Sequence, residues 1–257
     1  MLKKILRKII PYKIRKFIYF FNSIIFNSKK IFLVDKNSYN EDGMATNHIT
    51  DFMKDEKFIK NYYESAKGTH HKIIYRAYIV NYFADYALQL FENQRGCFIE
   101  LGVHKGLMTK SILLNSNFSE KNKTFYLFDT FTGIPLKNIN DKEIDHVKFM
   151  NKHFYDKDVY ELLKKYFSKY PFVKIIKGIL PDTLTREHFD IDNIHFLHID
   201  LNNAYAEIES IKILYKKLAK GAPVILDDYC YSEKYRSQKD GWDRFANSKG
   251  FKILSLP

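Results

Sequence analysis

Five short apolar runs, separated by helical stretches, constrain this chain more than any other feature. They are Cys97-Phe-Ile-Glu-Leu101, Phe125-Tyr-Leu-Phe-Asp129, Phe172-Val-Lys-Ile-Ile176, Ile194-His-Phe-Leu-His-Ile-Asp200 and Pro223-Val-Ile-Leu-Asp-Asp228. The stretches between them carry apolar residues at helical spacing. One example is Val159, Leu162, Leu163, Tyr166 and Phe167, stopped by Pro171. Strands alternating with helices imply a Rossmann-like, doubly wound, mostly parallel sheet with helices on both faces. Nearly continuous apolar strands suit burial on both sides. A lead-in helix is expected from His71 to Phe91, with Ile74, Ala77, Tyr78, Tyr82, Tyr86 and Leu90 in phase. Another is expected from Ala204 to Ala219, closed by Gly221.

The charge is unevenly spread. Lys and Arg number 42 against 30 Asp and Glu, a net +12. Residues 1–34 hold nine basic side chains and no acid, so the other 223 residues carry only +3. A nucleic-acid enzyme would more often spread its basic surface over the body of the fold, so no nucleic-acid partner is expected. The longest uncharged stretch in this arm, Phe17 to Ser28, is 12 residues. A bilayer span needs about 20. The arm also lacks a secretory cleavage site. Three readings suit it: a helix docked on the domain or on a second subunit, a basic amphipathic helix on an anionic membrane surface, or nucleic-acid contact. The organisation expected is a basic apolar arm at 1–34, a linker and helical lead-in at 35–70, and one domain at 71–257. Only two cysteines, Cys97 and Cys230, argue against a disulfide scaffold and for a reducing, cytoplasmic setting, either free or peripheral on the inner membrane surface.

In an open parallel sheet, ligands bind beyond the carboxyl ends of the strands. Four of those ends carry acids here: Glu100, Asp129, Asp200 and the pair Asp227-Asp228. The first is followed by Gly102-Val-His-Lys-Gly106, a tight turn into a helix. It is not the dinucleotide fingerprint, because His104 stands where a glycine would be needed. A nicotinamide-dependent oxidoreductase is therefore disfavoured. An acid at Asp129 can accept hydrogen bonds from ribose hydroxyls, and it would repel a phosphate. Asp200, Asp227 and Asp228 would repel one another unless a cation joined them, and hard oxygen ligands suit Mg²⁺. The alternative for the last pair is the capping of the next helix.

Assembled, these residues resemble the S-adenosylmethionine-dependent O-methyltransferases of the macrocin (TylF-type) family. The resemblance rests on Phe98 to Gly106, on Phe128-Asp-Thr-Phe-Thr-Gly-Ile-Pro135, and on Lys177-Gly178 followed by Pro181-Asp-Thr-Leu184. It continues through His198-Ile-Asp200 and Asp227-Asp-Tyr229, in order across residues 75–257. It implies S-adenosylmethionine as cofactor, with Glu100, Gly102, His104 and Gly106 at its methionine end. It places Asp129 on the ribose, Thr130 and Phe131 beside the adenosine, and Gly178 at the adenine. It implies Mg²⁺ at Asp200, Asp227 and Asp228, with Asp200 also the catalytic base. The acceptor implied is a hydroxyl of a sugar or glycosylated small molecule, as in natural-product or surface-polysaccharide pathways, and a homo-oligomer is a compatible assembly. Asn202 stands where many relatives carry a second Asp. Relatives also continue past a Leu-Pro like Leu256-Pro257 into one more strand, so a sheet missing its last strand is expected. That departure sustains one competing class, a methyltransferase-fold binding protein without turnover.

Overall fold

The computed structural model describes residues 39–46, 48–69, 72–141, 143–155, 159–184 and 193–256. The basic arm at 1–34 lies outside the described residues. The chain divides into two units, Met1–Thr50 and Asp51–Pro257. In the first, Asn40–Glu41 pairs antiparallel with Met44–Ala45. The two-residue turn between them, Asp42-Gly43, has φ of 56° and 74°. Positive φ at both central positions is what a tight hairpin of this twist requires, and Asp-Gly accepts it.

The second unit contains the five sequence-predicted strands: β1 (Gly96–Leu101), β2 (Lys123–Asp129), β3 (Val173–Lys177), β4 (Ile194–Ile199) and β5 (Val224–Leu226). Its helices are α1 (Glu56–Ser65), α2 (Ile74–Leu90), α3 (Leu107–Asn115), α4 (Ile144–His153), α5 (Val159–Phe167), α6 (Ala204–Leu214) and α7 (Arg236–Lys249). The strand order is β3-β2-β1-β4-β5, and every pairing is parallel. The chain winds outward from β1 to β3, then returns to the centre and winds the other way. The reversal falls between β1 and β4, and that crevice is where an open α/β sheet holds its ligand. Residues 251–256 after α7 form no strand.

Period-two alternation sends the central strands to two cores. Ile99, Leu101, Phe128, Leu197 and Ile199 pack with Ile211 and Leu214 of α6 and Trp242 and Phe245 of α7. On the opposite face Phe98, Phe118, Phe125 and Phe196 form an aromatic cluster, with ring centroids 5.0–5.8 Å apart around Phe98. Helices α2 and α3 pack on this side, and α2 contacts β4. β1 and β4 are buried along their whole length, as strands covered on both faces must be.

Two helices differ from expectation. In α2 the stripe Tyr82, Tyr86 and Leu90 is exposed, and the core face is Ala77, Val80, Asn81, Ala84, Ala87 and Leu88. Small residues let the helix approach its neighbours closely, which the bulky tyrosines would prevent. α6 ends at Leu214, followed by a short 3₁₀ turn. Leu218 then forms a parallel bridge with Ile194, and the Ala219 N–H donates to the Ile194 carbonyl at 2.9 Å. The sheet claims the backbone that helical spacing alone would have kept in α6.

Candidate functional site

The four acid-bearing strand ends, β1, β2, β4 and β5, sit side by side at one edge of the sheet. Each is followed by a non-glycine residue in the left-handed region: His104 (φ 46°), Phe131 (53°), Asn202 (53°) and Cys230 (63°). Such backbone is costly and concentrates where a ligand site needs a sharp change of direction.

At the switch point, Gly102 (φ 87°) lies so close to the end of β4 that a Cβ on it would stand 1.8 Å from the Asp200 carbonyl oxygen. The Asp200 N–H donates to the Leu101 carbonyl at 2.8 Å, and the Gly102 N–H to that of Phe128 at 2.9 Å. The absence of a side chain at 102 therefore seats Asp200 against β1.

A cleft opens beside this contact, lined by Gly102, Asp129, Thr130, Tyr155, Gly178, Asp200 and their neighbours. Among the described residues, no Lys or Arg lines it. The buried Asp129 carboxylate organises its rim. Oδ2 accepts the Val103 and His104 N–H groups at 2.7 and 2.8 Å, and Oδ1 accepts the Phe131 N–H at 2.6 Å. A carboxylate has about four acceptor positions, so capacity remains for a ligand hydroxyl. A side chain at Gly178 would strike Thr183, with Cβ 2.0 Å from its Cγ2. Burial, then the charges of Asp200 and Asp129, raise the Tyr155 phenol well above its ordinary value, so it stays protonated.

Glu100, His104, Gly106 and Phe131 do not line the cleft. Glu100 lies within β1 on the same face as Phe98, facing α3, and accepts a short hydrogen bond from the Thr109 hydroxyl. Gly106 caps the start of α3 in the left-handed region. The His104 ring lies 5.2 Å from that of Tyr155.

Asp200, Asp227 and Asp228 converge. Each offers a carboxylate oxygen within 4.8 Å of the others. Asn202, held at positive φ, turns its amide back to donate to Asp200 Oδ1 at 3.0 Å. Burial first, then the charges of Asp227 and Asp228, push the Asp200 carboxyl well above the usual range. Asp228 is raised by burial and by Asp227. Burial would also raise Asp227, but His198 and Arg76 outweigh it and hold that carboxyl low.

Sequence reasoning missed three residues here. His198, fully buried, lies 3.5 Å from Glu100 Oε1 and 3.9 Å from Asp227 Oδ1. Both acids lie at or just beyond hydrogen-bonding reach of its ring nitrogens. Burial lowers its pKa, but the two acids prevail and bring it to about 10. Arg76 of α2 pairs directly with Asp227. It was legible only as the sole charge between Ile73 and Ala84. Glu207 of α6, raised to about 8 by burial, accepts the Trp242 indole N–H at 2.7 Å. Nothing in its local sequence set it apart.

The model of the macrocin-O-methyltransferase (TylF) family matches residues 71–253. The chain belongs to this family. It is an enzyme of the methyltransferase class, and its fold agrees. The O-methyltransferase NovP is 21% identical with a TM-score of 0.59, over 74% of this chain and 78% of NovP. CalS11, a calicheamicin methyltransferase, is 15% identical with a TM-score of 0.52, over 82% of this chain and 90% of CalS11. Apo CalS11, a TDP-rhamnose 3'-O-methyltransferase, is 13% identical at 0.50, over 82% and 92%. At these identities the likeness shows the fold. A comparison with curated proteins returns no match. In this TylF-family chain no helix among the described residues is long and apolar enough to cross a membrane.

Proposed function

We propose that this enzyme transfers a methyl group from S-adenosylmethionine to a hydroxyl of a sugar or glycosylated small molecule, with Mg²⁺ held by Asp200, Asp227 and Asp228. The observation that carries the reading is the convergence of these three carboxylates beside a cleft that contains Asp129 and, among the described residues, no Lys or Arg. A cleft lined by acid suits a cationic sulfonium nucleoside better than a pyrophosphate. The sugar acceptor is supported by family membership and by CalS11, which acts on TDP-rhamnose.

The donor residues fit both groups. Hard carboxylate oxygens are what Mg²⁺ prefers, and bound there it would lower the pKa of an acceptor hydroxyl and orient it. S-adenosylmethionine supplies an electrophilic methyl, so the protein needs no nucleophile of its own. Asp129 would hold the ribose hydroxyls, and Gly102 and Gly178 would line the cofactor's cleft. Thr130 shares that wall. Glu100, His104, Gly106 and Phe131 act on the cofactor through the loops they shape. Asp200, oriented by the Asn202 amide, is placed to take the hydroxyl proton. Alignment of the acceptor oxygen can supply about 7–11 kcal/mol of barrier reduction.

Methyl release onto a panel of nucleotide sugars and glycosides is the test. Replacing both Asp227 and Asp228 by Ala should abolish transfer while S-adenosylmethionine binding, read by calorimetry, persists. Unchanged turnover of that double variant in excess chelator refutes the metal role. Cofactor binding without methyl release on any acceptor would favour the binding-protein reading.

A further inference from the structure

We propose that Arg76 is an internal counter-cation of the acidic cluster, occupying carboxylate oxygens that a divalent ion needs, so that ion loading proceeds by exchange against its guanidinium. This rests on the divalent-ion reading above.

Arg76 reaches the cluster from the first turn of α2, whereas the acids come from the ends of β4 and β5. Its Nη1 donates to Asp227 Oδ2 in a short contact and stands 3.6 Å from Asp228 Oδ1. The Tyr231 ring covers the guanidinium from another side, its centroid 4.4 Å from Cζ. The Arg76 side chain is 18% exposed and the two Asp side chains 8%, so the pair is poorly screened by solvent. Three carboxylates this close repel one another unless cations intervene. Among the described residues the intervening cations are Arg76 on one side and His198 on the other.

A guanidinium and a divalent ion compete for this position in two ways. Both use the same carboxylate lone pairs, and Mg²⁺ demands close, near-octahedral oxygens. They also repel each other. Arg keeps its charge at all working pH values, so proton loss cannot clear the site and only exchange can. The device keeps three clustered acids folded before the ion arrives, and it weakens the ion's hold afterwards.

The experiment is a Mn²⁺ titration of the full chain, read by electron paramagnetic resonance of free Mn²⁺, together with melting curves with and without the ion. Arg76→Gln should melt lower than wild type in chelator, and saturating Mn²⁺ should close the gap. It should bind Mn²⁺ about 10- to 100-fold more tightly, since a charge-assisted hydrogen bond no longer competes. Arg76→Lys, which keeps the charge but not the planar fork, should restore chelator-state melting and return Mn²⁺ affinity toward wild type. It is also the variant to read if the Gln protein does not fold. A merely structural role predicts weaker Mn²⁺ binding in Arg76→Gln. Equal or weaker binding by the variant, with wild type still binding, overturns the exchange and leaves the metal reading standing. No binding by either protein overturns both.

Discussion

The close approach of β1 and β4 makes a sharp prediction at Gly102. An alanine there must accept φ of 87° and a Cβ 1.8 Å from the Asp200 carbonyl oxygen, where contacts under 3.0 Å essentially never occur. A left-handed non-glycine residue costs about 1–2 kcal/mol. Relieving the clash moves one strand end from the other and threatens the hydrogen bond from the Asp200 N–H to the Leu101 carbonyl, worth about 1 kcal/mol net. Overpacking of this kind adds roughly 1–3 kcal/mol. The whole is about 3–6 kcal/mol, or a fall in melting temperature of about 6–24 °C for a unit of this size. Differential scanning fluorimetry reads it directly. Gly68 is the control in the same unit: its φ is 80°, but nothing lies within 4 Å of its would-be Cβ. Gly68→Ala should therefore cost only the backbone term, about 1–2 kcal/mol. Because Asp200 must shift, Gly102→Ala should also weaken Mn²⁺ binding, which Gly68→Ala should not. If the two variants melt within about 2 °C of each other, the argument that Gly102 seats Asp200 is wrong.

Glu207 gives a pH signature. Its folded pKa, about 8, lies above its ordinary 4.5, so the folded state holds a proton that the unfolded chain has released. That stability is full below pH 4.5 and is lost as pH rises through 8, with a slope of roughly 1.4 kcal/mol per pH unit inside the window. Glu207→Gln should reduce the slope of the denaturant-derived stability profile from pH 4.5 to 6.5 by about 1.4 kcal/mol per pH unit, the raised Asp200 and Asp228 carboxyls accounting for the slope that remains and His198 adding its loss only at higher pH; an unchanged slope rejects it. The arm can be tested in the full chain. Changing Lys3, Lys4, Arg7 and Lys8 to Gln should weaken co-sedimentation with anionic liposomes at low salt by at least about tenfold, and failure of wild type to sediment removes the membrane reading.

Much of this protein was legible in its sequence because local pattern and burial agree. The five strands stand where the apolar runs stand, since a strand covered on both faces needs apolar residues throughout. Acids at successive strand ends pointed to one edge of the sheet because parallel strands all end on the same side. The family motifs then tied Asp200 to Asp227 and Asp228, which the fold brings within 4.8 Å. What the sequence left open was decided by order and phase. The strand order β3-β2-β1-β4-β5 makes β1 and β4 neighbours, and no local signal encodes which strands touch. Glu100 faces α3 from within the strand, while Gly102 lies past the strand end at φ 87° and reaches the cleft, so two residues of one motif face different surroundings. In α2 the alanine face, rather than the tyrosine stripe, meets the core, because close packing favours the smaller side chains. Arg76 and His198 came to the acids only through tertiary packing. Charge acts through space, and their partners lie 151 and 29 residues away along the chain.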